Sequence, residues 1–237
     1  MTGDALRDTV RELVGVGNVA AYPRLTDTNI NRAVDSAMHR LAVKTEPVAL
    51  QTSYAQNLTA ADATYEIDAV ALRIYTVYCS ESQGALLPIS YAELERDWPD
   101  WRDASGTPTH YVIEGVNATG AFKLRLVPAP TTTTTSGSGL VVRYLAEPTS
   151  LASISSGEIV QWPEFVHDGF ACYAAWRTIL RFTERGIADP RAAAIKADWD
   201  DAAALFVEQE ASIHPQRWGH CMLESGAHDI GIEMPWN

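Results

Sequence analysis

The chain has 237 residues, of which 46% are hydrophobic and 20% are charged, so it is long and apolar enough to bury a large core. This composition excludes a disulfide-dependent miniprotein and a globally disordered chain. Lys and Arg total 18 against 30 Asp and Glu, and the net charge of −12 argues against tight binding of nucleic acid over the whole surface.

The sequence contains no apolar run as long as a membrane helix, and its first residues, MTGDALRDTVRELVG, are charged throughout. We therefore expect a protein that neither spans a membrane nor follows the conventional secretory route. Its three cysteines, Cys79, Cys172 and Cys221, are odd in number and widely spaced. They are predicted to be free thiols of a protein made in a reducing compartment.

The N-terminal zone, residues 1–47, has the hydrophobic period of helices. Its first apolar stripe consists of Leu6, Val10, Leu13 and Val14. Gly15 and Gly17 would end that helix. A second helix, which Thr26 or Thr28 can cap, is predicted from Ile30, Ala33, Val34, Ala37, Met38 and Leu41.

Between residues 48 and 148 the period changes to two, which predicts an antiparallel β-unit. The alternating sets are Leu72/Ile74, Tyr111/Ile113, Phe122/Leu124/Leu126 and Leu140/Val142/Tyr144. Residues 115–120 can close a hairpin, and residues 91–98 (YAELERDW) predict a short helix ended by Pro99. Residues 131–139, five threonines followed by Ser-Gly-Ser-Gly, predict a flexible loop that projects into solvent.

After a Ser-rich linker, a very apolar helix is predicted from Pro163 to about residue 186. Its apolar residues, which cover more than half of its circumference, are Phe165, Val166, Phe170, Cys172, Tyr173, Trp176, Ile179 and Leu180. The remaining stripe carries Glu164, His167, Arg181 and Arg185. We expect this helix to be buried on two sides, and we expect His167 to be solvated like His39 and His110.

Asp189-Pro190 opens a last helix whose apolar face and acidic face lie opposite each other. The apolar face comprises Ile195, Trp199, Ala202, Phe206 and Ile213, and the acidic face Asp200, Asp201 and Glu208. The fold class is therefore predicted as α+β: a helical bundle of residues 1–47 and 157–213, an inserted antiparallel β-domain of residues 48–148, a linker of residues 149–156 and an extended arm of residues 214–237.

The sequence carries no familiar catalytic or phosphate-binding motif, so no catalytic residue and no cofactor are predicted. Gly15-Val16-Gly17 begins a G-x-G-x-x-A match, but it follows a helix and not the strand that a dinucleotide site requires. Asp198, Asp200 and Asp201 are better interpreted as a solvated helix face than as paired acids.

The arm contains side chains of the kinds that bind zinc, namely His214, His220, Cys221, His228 and Asp229. Their spacing fits no compact ligand pair, so no metal site is predicted. The arm also has an apolar, aperiodic set that needs a surface to cover, formed by Trp218, Met222, Leu223, Ile230, Ile232, Met234 and Trp236.

A second class of function remains open, a carbohydrate-binding or hydrolytic β-module. In that interpretation Trp98, Trp101 and Tyr111 form a stacking platform, and Glu93 and Glu95 act as acid and base. Packing inside the fold is the simpler explanation for these large aromatic residues.

Five stretches, in this order and spacing, resemble the head-to-tail connector, or portal adaptor, proteins of tailed bacteriophages. They are residues 25–41 (LTDTNINRAVDSAMHRL), 101–111 (WRDASGTPTHY, with G-x-P-x-x-Y), 126–130 (LVPAP), 142–148 (VRYLAEP) and 162–176. The resemblance implies a structural virion protein of the neck, without active-site residues, assembled in the host cytoplasm. A tail or baseplate component of the same kind of particle is a related alternative.

The resemblance further implies a homo-oligomeric ring of about twelve copies that docks below the portal protein, continues the DNA channel and carries the next tail or neck protein. An acidic wall would let DNA pass without sequence-specific binding. In such a ring we expect the residues at the subunit interface to be Phe165, Cys172, Trp176 and Ile179. We expect Thr131, Thr133, Thr135 and Gly137 to face the channel or tail, and the apolar set of the arm to bind the portal.

Overall fold

A computed structural model describes residues 1–15, 25–67, 71–82, 84–116, 121–154, 157–159, 161–182 and 190–213. The chain divides into two compact units. Met1–Leu41 and Ser150–Asn237 form the helical unit, and Ala42–Thr149 form the β-unit. The described residues combine α-helices with largely antiparallel sheets, so the predicted α+β class is confirmed.

The described residues form five α-helices and seven β-strands. The helices are α1 (Gly3–Val14), α2 (Asp27–Thr45), α3 (Tyr91–Asp97), α4 (Glu164–Phe182) and α5 (Pro190–Ile213). The strands are β1 (Gln51–Gln56), β2 (Thr64–Ile67), β3 (Ala71–Cys79), β4 (Leu87–Pro88), β5 (His110–Val116), β6 (Phe122–Val127) and β7 (Leu140–Ala146). No helix of this described part is long and apolar enough to cross a bilayer.

The ends of α1 follow the local sequence. The Thr2 hydroxyl accepts a hydrogen bond from the Ala5 amide and caps the helix. Gly15 ends the helix in the left-handed conformation (φ 78°), where a side chain would be strained. Of the predicted stripe, Leu6, Val10 and Val14 are buried and Leu13 is partly buried, which confirms the helical interpretation of this zone.

Helix α4 is the centre of the helical unit and packs against both α1 and α5. Every residue from 169 to 175 is buried, so neighbouring elements cover this part of the helix on all sides. The contact with α5 is tightest at Gly169, where a Cβ atom would lie 2.7 Å from the Cβ of Ala202. The ring of Trp199 stacks beside Tyr173 with centroids 5.1 Å apart.

The described part of the predicted linker, residues 149–154, is held by the helical unit. Residues Leu151–Ser153 form a 3₁₀-helix in which Leu151 is buried. The carbonyl of Leu151 accepts a hydrogen bond from Arg7 Nη2 (3.0 Å), and its amide donates to Asp35 Oδ1 (2.7 Å). These bonds tie the returning chain to α1 and α2.

The expectation that His167 is solvated is wrong. Its side chain is buried, and Nε2 donates a hydrogen bond to the carbonyl oxygen of Trp162 (3.1 Å). A helical wheel assigns His167 to the polar stripe, but that side of α4 is also covered by the unit. Burial lowers the pKa of His167 below its usual value of 6.5.

The β-unit contains two sheets that share one core. One sheet has the strand order β1-β7-β3 and is antiparallel, and the other has the order β2-β6-β5-β4. All pairs are antiparallel except β4 with β5, a two-residue parallel pair. The predicted hairpin joins β5 to β6. Its turn, residues 117–120, lies outside the described residues.

The shared core is formed by alternating residues from both sheets, with Leu124, Leu140 and Val142 fully buried. A second, smaller cluster of Leu94, Trp101, Val112 and Val127 covers the other face of β5. The strand therefore buries the adjacent residues Tyr111 and Val112, one in each cluster, whereas Ile113 is 49% exposed. A register shift follows Ile113 in the pairing with β6.

We predict that Gly169→Val destabilises the protein by about 2 kcal/mol, because the added side chain overpacks the contact between α4 and α5. Urea denaturation measures the free energy of unfolding. The matched control is Gly84→Val, since a Cβ atom at Gly84 has no neighbour within 4 Å. Equal stability of the two variants would show that α4 and α5 do not approach closely at Gly169.

We predict that His167 makes the protein less stable as the pH falls from 7.5 to 5.5. In the unfolded chain this imidazole is protonated near pH 6.5, whereas in the folded chain it is protonated only at lower pH. The free energy of unfolding therefore falls by at most about 1.4 kcal/mol per pH unit as the pH is lowered.

His167→Gln keeps an amide donor for the Trp162 carbonyl but does not titrate, so its denaturation curves should lose that part of the pH dependence. The matched control is His39→Gln, which removes an exposed imidazole from α2 and should behave as the wild type. A His167→Gln variant with the pH dependence of the wild type would mean that His167 is protonated in the folded state.

Candidate functional site

The four side chains predicted at a subunit interface differ in their accessibility. Cys172 and Ile179 are buried within the helical unit itself, and Trp176 is partly buried against Tyr173. Phe165 is 43% exposed, although its ring also lies 6.4 Å from that of Phe206. Of these four, only the residue in the first turn of α4 therefore offers a large apolar side chain to another molecule.

The thiol of Cys172 reflects this burial. Burial, together with the nearby carboxylates of Asp198 and Asp168, raises its pKa to about 11. At neutral pH the group is a protonated, unreactive thiol, and the same holds for Cys79, whose pKa is raised chiefly by burial. Both are free cysteines, as predicted.

Helix α5 exposes a surface that the sequence reasoning missed. Leu205 is 58% exposed and lies next to Phe206, the ring that Phe165 contacts. Small or acidic residues continue the same stripe along the helix, namely Ala194, Ala197, Asp198, Asp201 and Glu208. The available signal was that apolar residues of α5 are spread around the helix and not confined to one face. We call this exposed surface the α5 stripe.

The loop of residues 131–139 is folded onto the β-unit, so the expectation that it projects into solvent is wrong. Glu81 accepts hydrogen bonds from the amide and hydroxyl of Thr131 (3.2 and 3.3 Å) and from both groups of Thr132. Burial opposes ionisation of Glu81, but these hydrogen bonds outweigh it and lower its pKa. The start of the loop is thus fastened by a carboxylate.

A second set of bonds fastens the rest of the loop to the segment after β1. The amide of Leu58 donates to the hydroxyl of Thr134 (2.8 Å), and the Thr134 amide donates back to the Leu58 carbonyl (3.0 Å). Thr133 accepts from the Ala60 amide (3.0 Å), and the Gly137 amide donates to Asn57 (2.6 Å). Of the four predicted loop residues, Thr131, Thr133 and Gly137 therefore have partners in the β-unit, and Thr135 is exposed.

The stacking platform of the carbohydrate hypothesis is not assembled. Trp101 is buried, and the guanidinium groups of Arg102 and Arg125 lie 4.7 and 4.8 Å from its ring centroid. Tyr111 is buried in the shared core. Trp98 alone of the three is exposed, beside an apolar cleft of about 260 Å³. A single indole offers little to a sugar ring.

The two carboxylates of that hypothesis have structural partners. Glu93 forms a capping box with Ser90 at the start of α3, and hydrogen bonds from Ser90 lower its pKa. Glu95 forms a salt bridge with Arg102. A general acid needs a raised pKa, so Glu93 is unsuited to that role.

The arm with its apolar set from Trp218 to Trp236 lies outside the described residues, as do His214, His220, Cys221, His228 and Asp229. Within the described ranges, no group of three or more His, Cys, Asp or Glu side chains is placed to hold a metal ion.

We predict that Glu81→Ala accelerates hydrogen exchange of the Thr131 and Thr132 amides at least about tenfold, because both amides lose their acceptor. The cost in global stability should stay below about 1 kcal/mol, since the bonds are exposed. Peptide-level exchange over residues 129–139 measures the effect. Glu66→Ala, which removes another exposed glutamate of the β-unit, is the control; unchanged exchange in Glu81→Ala would mean that the loop is held without Glu81.

Comparison with known proteins agrees with this structural picture. The family model described as SU10 adaptor protein matches residues 1–219, which is most of the chain. No curated protein matches the chain. The match includes both units and all five stretches that carry the resemblance to portal adaptors. The chain therefore belongs to the SU10 adaptor protein family and is a phage head-tail adaptor, a structural component of the virion.

Proposed function

We propose that the chain is one subunit of a ring of about twelve copies that docks below the portal protein and attaches the next tail or neck protein. The match to the SU10 adaptor family over residues 1–219 carries this proposal. Homo-oligomers generally close by a rotational symmetry, and a ring of identical subunits requires two different surfaces on each copy that fit one another.

The surface of α5 supports assembly. Leu205 and Phe165 are both exposed, and each offers a large apolar side chain that a second molecule can cover. The interface in this proposal is thus centred on Phe165 and the α5 stripe, with Trp176 at its margin. Cys172 and Ile179 support it from inside, because they hold α4 in place.

The charge of the chain supports a passage for DNA. A net charge of −12 makes a wall that repels phosphate, whereas a basic wall would retain DNA through counterion release. DNA then moves through the ring without sequence-specific contacts. The exposed part of the loop around Thr135 faces either this channel or the next tail protein in our proposal.

The apolar set of the arm is proposed to bind the portal protein and to become ordered when it does. We further propose that the chain acts without catalysis, cofactor or membrane contact, in the neck of the virion after assembly in the host cytoplasm. The engagement of Trp101, Glu93 and Glu95 inside the β-unit supports a structural role.

We predict that removal of residues 214–237 weakens docking to the portal, while the chain still folds and the melting temperature of the free chain does not drop greatly. Pull-down on purified portal rings, with negative-stain images of the product, measures docking. Trp218→Ala and Trp236→Ala should each weaken docking, and Trp98→Ala, which removes an exposed indole of the β-unit, is the matched control.

Full docking by the truncated chain would refute the role of the arm. Images of the wild type bound to the portal without a ring of adaptor density would refute the ring.

A further inference from the structure

A small basic pocket lies between α2 and α4. Three guanidinium groups line it, those of Arg32 from α2 and of Arg177 and Arg181 from α4. Polar side chains complete its wall, namely Asn29, Ser36 and Thr178. Its volume is about 90 Å³, which is the space of about three water molecules and enough for a carboxylate group.

The grouping of these cations is unfavourable for the isolated chain. The whole chain has 18 Lys and Arg against 30 acidic residues, yet three arginines line one pocket, where the charges of Arg32 and Arg177 repel each other. Arg32 and Arg177 are exposed and form no ion pair with any described residue. An anionic group from outside the chain would relieve that repulsion, and planar guanidinium groups bind carboxylates through paired hydrogen bonds.

The α5 stripe carries carboxylates at a spacing about 1.5 Å shorter than that of the two arginines of α4. Asp198 and Asp201 are exposed and lie three residues apart, a rise of about 4.5 Å along the helix, and Arg177 and Arg181 lie four residues apart, a rise of about 6 Å. Glu208 extends the acidic row by two more turns, with the exposed Leu205 between. Two helices lying side by side can therefore pair these charges in register.

We infer that the basic pocket of one subunit receives the carboxylates of the α5 stripe of a second copy of this chain. This inference rests on the proposed ring and identifies its subunit contact. No ion pair of the described residues joins the pocket to the α5 stripe within one chain. The two surfaces differ, so their pairing is head-to-tail and leaves both free to continue from copy to copy until the ring closes.

The contact combines charge with burial of apolar area. Ala194, Ala197 and Leu205 allow the α5 stripe to approach another helix closely, while Asp198 and Asp201 fix its register against the arginines. DNA phosphate is the other anion that such a pocket can bind, but a chain of net charge −12 disfavours the approach of DNA. A second copy of the chain presents its carboxylates together with a surface that fits.

Charge reversal on each side tests the contact. Arg177→Glu and Asp201→Lys change exposed side chains, so both variants should fold, as circular dichroism melts will show. Sedimentation velocity at low salt, up to about 1 mM chain, gives the concentration at which half of the chain is assembled. Each variant alone should raise that concentration at least about tenfold, which corresponds to about 1.4 kcal/mol per contact.

Mixing the two variants in equal amounts should restore assembly. In alternating order, the introduced glutamate of one variant would meet the introduced lysine of the other, and each following contact would pair the native residues. The matched controls are Arg143→Glu and Asp103→Lys, which reverse exposed charges of the β-unit and should assemble within about twofold of the wild type.

The outcomes separate this inference from the proposed ring. If the wild type assembles and neither reversal changes the assembly, the ring stands and the contact is overturned. If the wild type remains a monomer throughout, self-association of the free chain through this contact is overturned, while the proposed ring is decided by the images on the portal. A further outcome is that a labelled DNA duplex binds to the wild type but not to Arg177→Glu, with the assembly of both unchanged. In that case the pocket binds phosphate, and our inference is wrong.

Discussion

The helical unit depends on the close packing of α5 against α4 at Gly169. Because no side chain separates the helices there, Ala202 and Trp199 reach the backbone of α4, and the aromatic rings of Phe170, Tyr173 and Trp199 stack around the contact. Helix α1 covers a further side of α4, although the whole β-unit intervenes between them in sequence. The backbone of Leu151 is hydrogen-bonded to Arg7 and Asp35 and holds the chain in place where it re-enters the helical unit after the β-unit.

Complete burial of the middle of α4 determines which surfaces remain for assembly. Because residues 169–175 of α4 are covered by their own unit, we propose the subunit contact at the first turn of α4, at the α5 stripe and at the basic pocket. These surfaces contain short apolar residues, carboxylates and arginines in place of a large hydrophobic face. Because such surfaces are partly polar and charged, they can be exposed to water in the chain before it assembles.

Local patterns predicted the elements well, and their limits have physical reasons. The hydrophobic period located α2 and α4, and Gly15 and Pro99 located helix ends, because these signals arise from neighbours in sequence. The partners of the threonine loop lie at Glu81 and Leu58, far along the chain, and composition alone indicates a flexible loop. Periodicity misassigns His167 because it describes one helix and not what packs around it. The basic pocket joins arginines of α2 and α4, a proximity that only the fold produces.

The buried thiol of Cys172 can be used to measure how often α4 opens. A thiol with a pKa of about 11, enclosed between helices, reacts with an added reagent only in those moments when α4 and α5 part. The rate at which a thiol reagent modifies Cys172 therefore measures how often the helical unit opens, and no label has to be engineered into the chain. Measured before and after assembly into the virion, the same rate would show whether assembly loosens the helical unit or leaves it closed.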